Sequence, residues 1–389
     1  MQPFTINQPT QISFGPDALA QVCAALKQKD VTKALLIYGG KSLKQTGNYD
    51  KIVGVLHEAG IETVDFGGNT VPTPERLRDA ADLAVKEEVQ VVFGIGGSLC
   101  MDMSKAVAYG AKHPDFIEKM YGGQEVSNSE DRLLAVTVPT YPSGGSETDA
   151  NSESEDPVNQ KRGTLVGVYP DYAVLNPEYT MTIGITQTAI ASLTTFMQAS
   201  VDYLGQPEPI SDGLVGGILT AIPASLRILQ RDDTNYEARA SLMWAGTMAT
   251  SGYASAGKGG DWKWSIYDQM DIILDALGLP YRNTMLIFFK SWLLRNYDDH
   301  ADEINPYCQD ILGIDTDHLK PADVKAMIST KLNALYHEFG LEPELHISEV
   351  ERQEMAEKIE KRIEQAKEED PETSFSQADI DMYLGVLGR

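Results

Sequence analysis

Apolar and polar positions follow two periods in the first half of the chain and one in the second. Residues 33–38 (KALLIY), 61–66 (IETVDF), 89–93 (VQVVF) and 133–140 (LLAVTVPT) are short apolar runs of the kind that become buried strands. Between them, residues 17–28 (DALAQVCAALKQ), 49–59 (YDKIVGVLHEA) and 72–88 place apolar side chains at helical spacing. The last of these has a threonine ahead of a proline, whose fixed φ suits a first helical turn. Strands alternating with helices of this length predict a parallel sheet with helices on both faces.

After about residue 180 the strand signals fade. Residues 210–230 and 236–256 read as long helices, and 351–368 (ERQEMAEKIEKRIEQAKE) as a charged amphipathic helix with a solvated outer face. The expected organisation is an α/β domain over 1–180 and an all-helical domain over 181–389. The stretch YPSGGSETDANSESEDPVNQKRG (141–163) reads as a loop, with SESEDP (152–157) as its acidic, solvated part.

Composition narrows the function classes. The chain has 389 residues and a formal net charge of −25. Binding to nucleic acid needs a basic face, so no nucleic-acid partner is expected. The first sixteen residues, MQPFTINQPTQISFGP, are polar and broken by prolines, and predict no signal peptide. No uninterrupted apolar run approaches about 18 residues, so no membrane span is expected. Three scattered cysteines, Cys23, Cys100 and Cys308, fit a reducing cytoplasm better than a disulfide framework or a zinc cluster.

Two glycine-rich loops follow strand signals: YGGKSLKQTG (38–47) and GIGGSLCMDMSK (94–105). Glycine lets the backbone approach a ligand closely, and the helix start behind the second loop adds a positive dipole end suited to phosphate. Neither loop has the spacing of G-x-G-x-x-G or of a Walker sequence. Each alone is equally compatible with a structural turn.

Their order along the chain is more specific. FGGNTVPTPE (66–75), GIGGSLCMDMSK, TVPTYPSGGSE (137–147) and VLNPEYTMTIGITQTA (174–189) succeed one another. This series resembles the iron-containing (group III) alcohol dehydrogenase family, with its GGGSxxDxxK, TxPTTAGTGSE and LDPxxTxxLPxxQTA motifs. YGGKSLKQTG and NYEARASLMWAGTMATSG (235–252) look most like its NADPH-dependent aldehyde reductase and butanol dehydrogenase branch. The resemblance implies a Rossmann-like N-terminal nucleotide-binding domain and a helical C-terminal domain, in a dehydroquinate synthase-like architecture with the site in the cleft between them. It also implies a homodimer, often paired through the N-terminal edge strand, and a small aldehyde or alcohol as substrate.

By the same resemblance Gly96, Gly97 and Ser98 match the pyrophosphate-binding turn, and Asp102 and Lys105 match the motif's acid and base. Thr137 and Thr140 match threonines lining the cofactor site, while Gly144 stands where a cofactor-facing threonine is expected. Gly39 and Gly40 occupy the place of an acid that grips the ribose in NAD-preferring relatives. Glycine leaves room there for a 2′-phosphate that Lys41, Ser42 or Lys161 would neutralise. The expected cofactor is therefore NADP(H), with NAD as the alternative.

The family also implies a divalent metal held by an Asp and a His four residues apart on one helix and by two later histidines. Here those positions read Thr194, Gln198, Ser265 and Tyr281. None of the six histidines lies between residues 181 and 299, so no shift of register restores a histidine ligand in that stretch. No metal is expected at the inherited site. Hydride transfer still needs a proton donor. Tyr281 and Tyr267 are the candidates, with Lys263 or Arg282 as a cation lowering a tyrosine pKa. The other reading of these aromatic residues is bulk that fills the former metal cavity. Two functions stay open: an NAD(P)H-dependent oxidoreductase with an altered site, and an inactive nucleotide-binding paralogue acting as a partner or regulatory subunit.

Overall fold

A computed structural model describes residues 1–142, 144–159, 161–258, 266–342, 344–369 and 375–388. The chain begins β1 (Gln11–Phe14), α1 (Ala18–Lys27), β2 (Lys33–Tyr38), α2 (Ser42–Gln45), α3 (Asn48–Glu58), β3 (Glu62–Phe66), α4 (Pro74–Lys86), β4 (Val91–Gly96) and α5 (Ser98–Gly110). It continues α6 (Phe116–Tyr121), β5 (Leu134–Pro139), β6 (Asn151–Asp156), β7 (Lys161–Val166), β8 (Tyr172–Leu175) and a 3-10 turn, Pro177–Thr180. Helices follow: α7 (Ile185–Tyr203), α8 (Pro209–Leu229), α9 (Tyr236–Ala249), α10 (Ile266–Leu277), α11 (Tyr281–Asp310), α12 (Pro321–Glu338), α13 (Glu349–Glu369) and α14 (Gln377–Gly385).

The α/β unit comprises residues 6–184 and 231–251. Its main sheet is six-stranded and parallel in the order β1-β8-β5-β4-β2-β3. The two-residue period of the strands sorts their side chains to opposite faces. Leu36, Phe93 and Val136 pack with α1 and α3 on one face, while Leu35, Val92 and Ala135 pack with α4 and α5 on the other. Thr73 caps α4 as its sequence announces, its Oγ1 accepting the Arg76 backbone N–H at 3.3 Å.

Two expectations need correction here. The stretch 152–157 is not a loop. Most of it lies in strand β6 (Asn151–Asp156), which pairs antiparallel with β7. Ser152 and Ser154 are buried, and Glu153 and Glu155 point outward. Ser154 Oγ donates to the Pro72 carbonyl at 2.7 Å and bonds the Tyr121 hydroxyl at 3.0 Å, so hydroxyls take the inward positions that apolar side chains usually hold. The chain also does not divide at residue 180. Segment 231–251 belongs to the α/β unit because the buried Arg239 guanidinium donates to the carbonyls of Thr180 and Ile183 at 2.6 and 2.9 Å. Met1–Thr5 belongs to the helical unit, where the Gln2 backbone N–H donates to the Gly257 carbonyl at 2.8 Å.

The helical unit comprises residues 1–5, 185–230 and 252–389. Helix α7 is buried along most of its length. It packs against α8 and α11. Trp292, Phe288 and Phe289 of α11 and Tyr336 of α12 fill the core, and Tyr383 of α14 stacks on Phe288. Helix α8 is long and apolar enough to cross a membrane by length and composition alone. In the fold it carries the charged partners of a packed helix: Asp212 pairs with Lys258, and Arg227 pairs with Glu338.

Candidate functional site

Strands β2 and β4 are neighbours, with Ile37 beside Gly94 and Tyr38 beside Ile95. From β2 the chain crosses outward to β3, and from β4 it crosses the opposite way to β5. The reversal opens a crevice beyond the carboxyl ends of these two strands, where parallel α/β sheets bind their ligands. Both glycine loops lie at that crevice. A Cβ on Gly39 would stand 3.9 Å from Cys100 Sγ and one on Gly96 3.2 Å from the same sulfur, so the turns meet across one side chain. Gly96 has φ +146, which favours glycine. Gly94 lies so close to α5 that a Cβ would come within 2.5 Å of the Cys100 carbonyl. Gly97 is the N-cap of α5, and no side chain caps that helix, whose first residue is Ser98. Thr140 donates its backbone N–H to the Gly96 carbonyl at 3.0 Å and steadies the turn. Burial holds the Cys100 thiol up at about 12, so it packs the turn as a neutral group.

One and a half turns into α5 lies a buried charge network. The Lys105 ammonium, fully buried, sits 2.6 Å from Asp149 Oδ1 and 3.1 Å from Asp102 Oδ1. It also donates to the Ser146 carbonyl at 3.1 Å, and Ser146 Oγ donates to Asp102 Oδ1 at 2.5 Å. Burial opposes the charge on Lys105, but the carboxylates of Asp149 and Asp102 outweigh it and hold its pKa above the usual value. Burial pushes the Asp102 carboxyl up, against the pull of Lys105 and with the help of Asp149. The loop after β5 is thereby tied to α5. Thr137, expected to line the cofactor, is fully buried and donates its hydroxyl to the Glu147 carbonyl at 2.8 Å, so it holds the loop. Glu147 Oε1 accepts the Thr247 hydroxyl of α9 at 2.5 Å. Gly145 (φ +96) faces Thr250 so closely that a Cβ there would lie 1.4 Å from the threonine oxygen.

At the far end of the crevice, Gly40 has nothing within 4 Å of a would-be Cβ. Lys41 and Ser42 beside it are exposed. Among the described residues Lys41 has no ion-pair partner. The neighbouring lysine, Lys44, is committed to Asp65 at 3.1 Å, and the Tyr38 and Tyr49 hydroxyls donate to the same carboxylate at 2.9 and 2.8 Å. Lys161 opens β7 opposite Asp156, which answers its charge across the hairpin.

In the helical unit, Thr194 and Gln198 share a face of α7 with Asp202, each four residues from the next. Thr194 Oγ1 donates to the Ile190 carbonyl at 2.8 Å. Gln198 Nε2 donates to the hydroxyl of Tyr281, the first residue of α11, at 3.3 Å. Gln198 is 9% exposed, and its Oε1 is buried with no hydrogen-bond partner among the described residues. Tyr267 of α10 keeps 40% of its surface accessible. Burial of its phenol, then Tyr281 and Asp202, push its pKa well above the ordinary tyrosine value. Burial also holds the Asp202 carboxyl well above the carboxylate range, against Lys258. Lys263 and Ser265 lie outside the described residues. Among the described residues no three His, Cys, Asp or Glu side chains form a group able to hold a metal ion.

Two participants carry no motif of their own, Asp149 and Asp202, while Ser146 stands in the motif TVPTYPSGGSE (137–147) without a role assigned to it. The run SETD and the four-residue spacing Thr194–Gln198–Asp202 were the available signals, and neither names a partner without the fold.

Comparison with known proteins sets these features in context. A model of the family described as iron-containing alcohol dehydrogenase matches residues 9–177. The NADPH-dependent aldehyde reductase YqhD of Escherichia coli is 30% identical over 271 residues, covering 67% of this chain and 68% of that protein. A probable NADH-dependent butanol dehydrogenase of Bacillus subtilis is 26% identical over 347 residues, 87% of each chain. The crystal structure of NADH-dependent butanol dehydrogenase A from Thermotoga maritima superposes with a TM-score of 0.86 at 23% identity, covering 100% of this chain and 99% of that one.

Proposed function

We propose that this chain, which belongs to the iron-containing alcohol dehydrogenase family, is an NADP(H)-dependent oxidoreductase that interconverts a small aldehyde and its alcohol without the family's metal. The observation that carries the reading is the Gly96–Gly97 turn, opening an uncapped thirteen-residue helix at the crevice beside β2. Those residues fit a dinucleotide: the backbone of Gly96–Ser98 and the dipole of α5 suit the pyrophosphate. The open glycines at 39 and 40, with Lys41 and Ser42, suit a ribose bearing a 2′-phosphate. Lys161 is a second cation for the same phosphate. Lys105 and Asp102 hold the loop that closes the turn from the other side.

A reduced nicotinamide held by these residues would supply the hydride, and the carbonyl oxygen would then need one proton from the chain. Tyr281 is the acid we assign to that step. The Gln198 amide donates to its oxygen and stabilises the phenolate left behind. Tyr267, with its raised pKa, is the weaker acid and stays protonated beside it. The donors at the family's metal positions do not fit iron or zinc. Thr194 offers a hydroxyl already bonded to the Ile190 carbonyl, and Gln198 and Tyr281 offer a neutral amide and a phenol. A homodimer paired along β1, an edge strand with Phe14 exposed, completes the reading.

Fluorescence titration of the purified chain with NADPH and with NADH tests the cofactor assignment. Saturable binding at one site per chain, tighter for NADPH by about tenfold or more, is expected from a phosphate-lysine contact. Absence of binding by either dinucleotide overturns the oxidoreductase reading. Binding without turnover of any aldehyde points to the inactive paralogue instead.

A further inference from the structure

Helix α8 (Pro209–Leu229) buries one face and leaves the other bare. Val215, Ile222 and Leu226 are buried where α8 packs on α7. On the other side Ile210 is 68% exposed, and Leu214 and Ile228 are each 43% exposed. Gly213, Gly217 and Ala224 lie open between them, and Ala221 is half-buried. No charged residue occurs from Gly213 to Leu226. Thr220 is the polar side chain on this outer face, and its hydroxyl donates back to the Gly216 carbonyl at 2.8 Å. The helix is apolar enough to cross a membrane, yet only 39% of its apolar stretch is buried, so an uncharged face is left for something to cover.

Ile210, Leu214, Gly217, Ala221, Ala224 and Ile228 recur at alternating intervals of four and three residues, the seam spacing by which one helix packs along another. The series reads the same in both directions about position 219. Two copies lying antiparallel across a two-fold axis there would set Ile210 on the partner's Ile228, Leu214 on the partner's Ala224 and Gly217 on the partner's Ala221. The small residues in the middle let the two backbones approach, and nothing lies within 4 Å of a Cβ built on Gly213 or Gly217. The same pairing sets Arg227 beside the partner's Asp212, opposite in charge, and opposes the two helix dipoles. A parallel pairing would bring like charges together. Lipid fits this face less well. Membrane-surface helices carry several basic residues along their polar flank, whereas α8 has Arg227 alone, in a chain of net charge −25.

We propose that the outer face of α8 is an isologous contact between two copies of this chain, separate from the edge strand β1. It does not depend on the oxidoreductase reading. A pair of helices of this length falls short of the ~1,200 Å² of a stable interface, so the association is weak and varies with concentration.

Sedimentation velocity of the full chain over about 1–100 µM, the range of a weak contact, is compared with Gly217→Glu. That position has open space for a side chain, and circular dichroism checks that the variant folds. The mass of the wild type is expected to rise with concentration. The association constant is expected to fall by about tenfold or more in Gly217→Glu, where two carboxylates would meet near the axis. A bismaleimide should join two copies of Thr220→Cys, one residue from the axis, and should not join Thr330→Cys, an exposed position on α12. The three native cysteines are buried and give no background. The same mass curve for the wild type and a folded Gly217→Glu would overturn the contact, even where both are dimers, and would assign the dimer to another surface. Flotation with phosphatidylcholine vesicles, lost in Gly217→Glu and unaccompanied by self-association, would overturn it in favour of lipid. Should Gly217→Glu fail to fold, absence of the cross-link in Thr220→Cys decides against it.

Discussion

The ammonium of Lys105 is held 2.6 Å from the carboxylate of Asp149, 44 positions further along the chain, with no solvent reaching the lysine side chain. A charge in that position needs partners, and removing one partner of a buried pair costs far more than an exposed ion pair is worth. The pair fixes the loop after β5 to the helix that starts at the glycine turn, so it links fold stability to the proposed cofactor site.

Lys105→Met should therefore destabilise the α/β unit by about 3 kcal/mol, because Asp102 and Asp149 lose their shared counter-charge. Denaturant unfolding measures this. Asp149→Asn should cost less, since Asp102 and the Ser146 carbonyl still receive the ammonium.

The titration of the helical unit has a defined sign. Asp202 has its folded pKa raised, so the folded state favours its neutral form. Its contribution to stability is complete below its unfolded value of about 4 and is lost as pH rises through the folded value. Lys258 opposes this shift from nearby and Tyr267 stays neutral over the same range. Asp202→Asn should flatten the fall in stability above about pH 4, read from melting temperatures across a pH series.

Gly145→Ala should be severely destabilising. The position has φ +96 and a Cβ there would overlap the Thr250 hydroxyl. Left-handed backbone strain alone costs about 1–2 kcal/mol for a residue with a Cβ. Thr250→Ala in the same chain should recover the steric part and not the backbone part, which calorimetry of the single and double variants separates.

Gly39→Asp tests the cofactor assignment from the other direction. The space is adequate, with the Asn69 carbonyl 3.5 Å from the new Cβ. A carboxylate there repels a 2′-phosphate and bonds a ribose diol. NADPH affinity should fall by about tenfold or more while NADH affinity holds or rises. Tyr281→Phe, by contrast, should leave dinucleotide binding intact and lower kcat by about a hundredfold to ten-thousandfold.

Much of this was legible in the sequence, and the reasons for the rest are specific. Strand β2 falls at 33–38 as its apolar run predicts, and the glycine turn, Asp102 and Lys105 are visible as a spaced motif. Strand β6 escaped because its inward positions are Ser152 and Ser154, hydroxyls rather than apolar side chains, and the burial of Ser154 is sustained by hydrogen bonds that a hydropathy pattern cannot register. Helix α9 reads as part of the helical half because its periodicity is helical; its allegiance to the α/β unit depends on where Arg239 finds its carbonyls. Asp149 and Asp202 are ordinary acids in an acidic chain until the fold supplies Lys105 to one and burial to the other.

The central claim is reduction of an aldehyde by NADPH without a metal. It is tested most directly by following NADPH oxidation with a panel of small aldehydes in protein dialysed against a chelator, with the metal content of the same sample determined. Steady turnover at far less than one metal per chain is the predicted result. No oxidation of NADPH or NADH, or activity that returns only when iron or zinc is added, would contradict it.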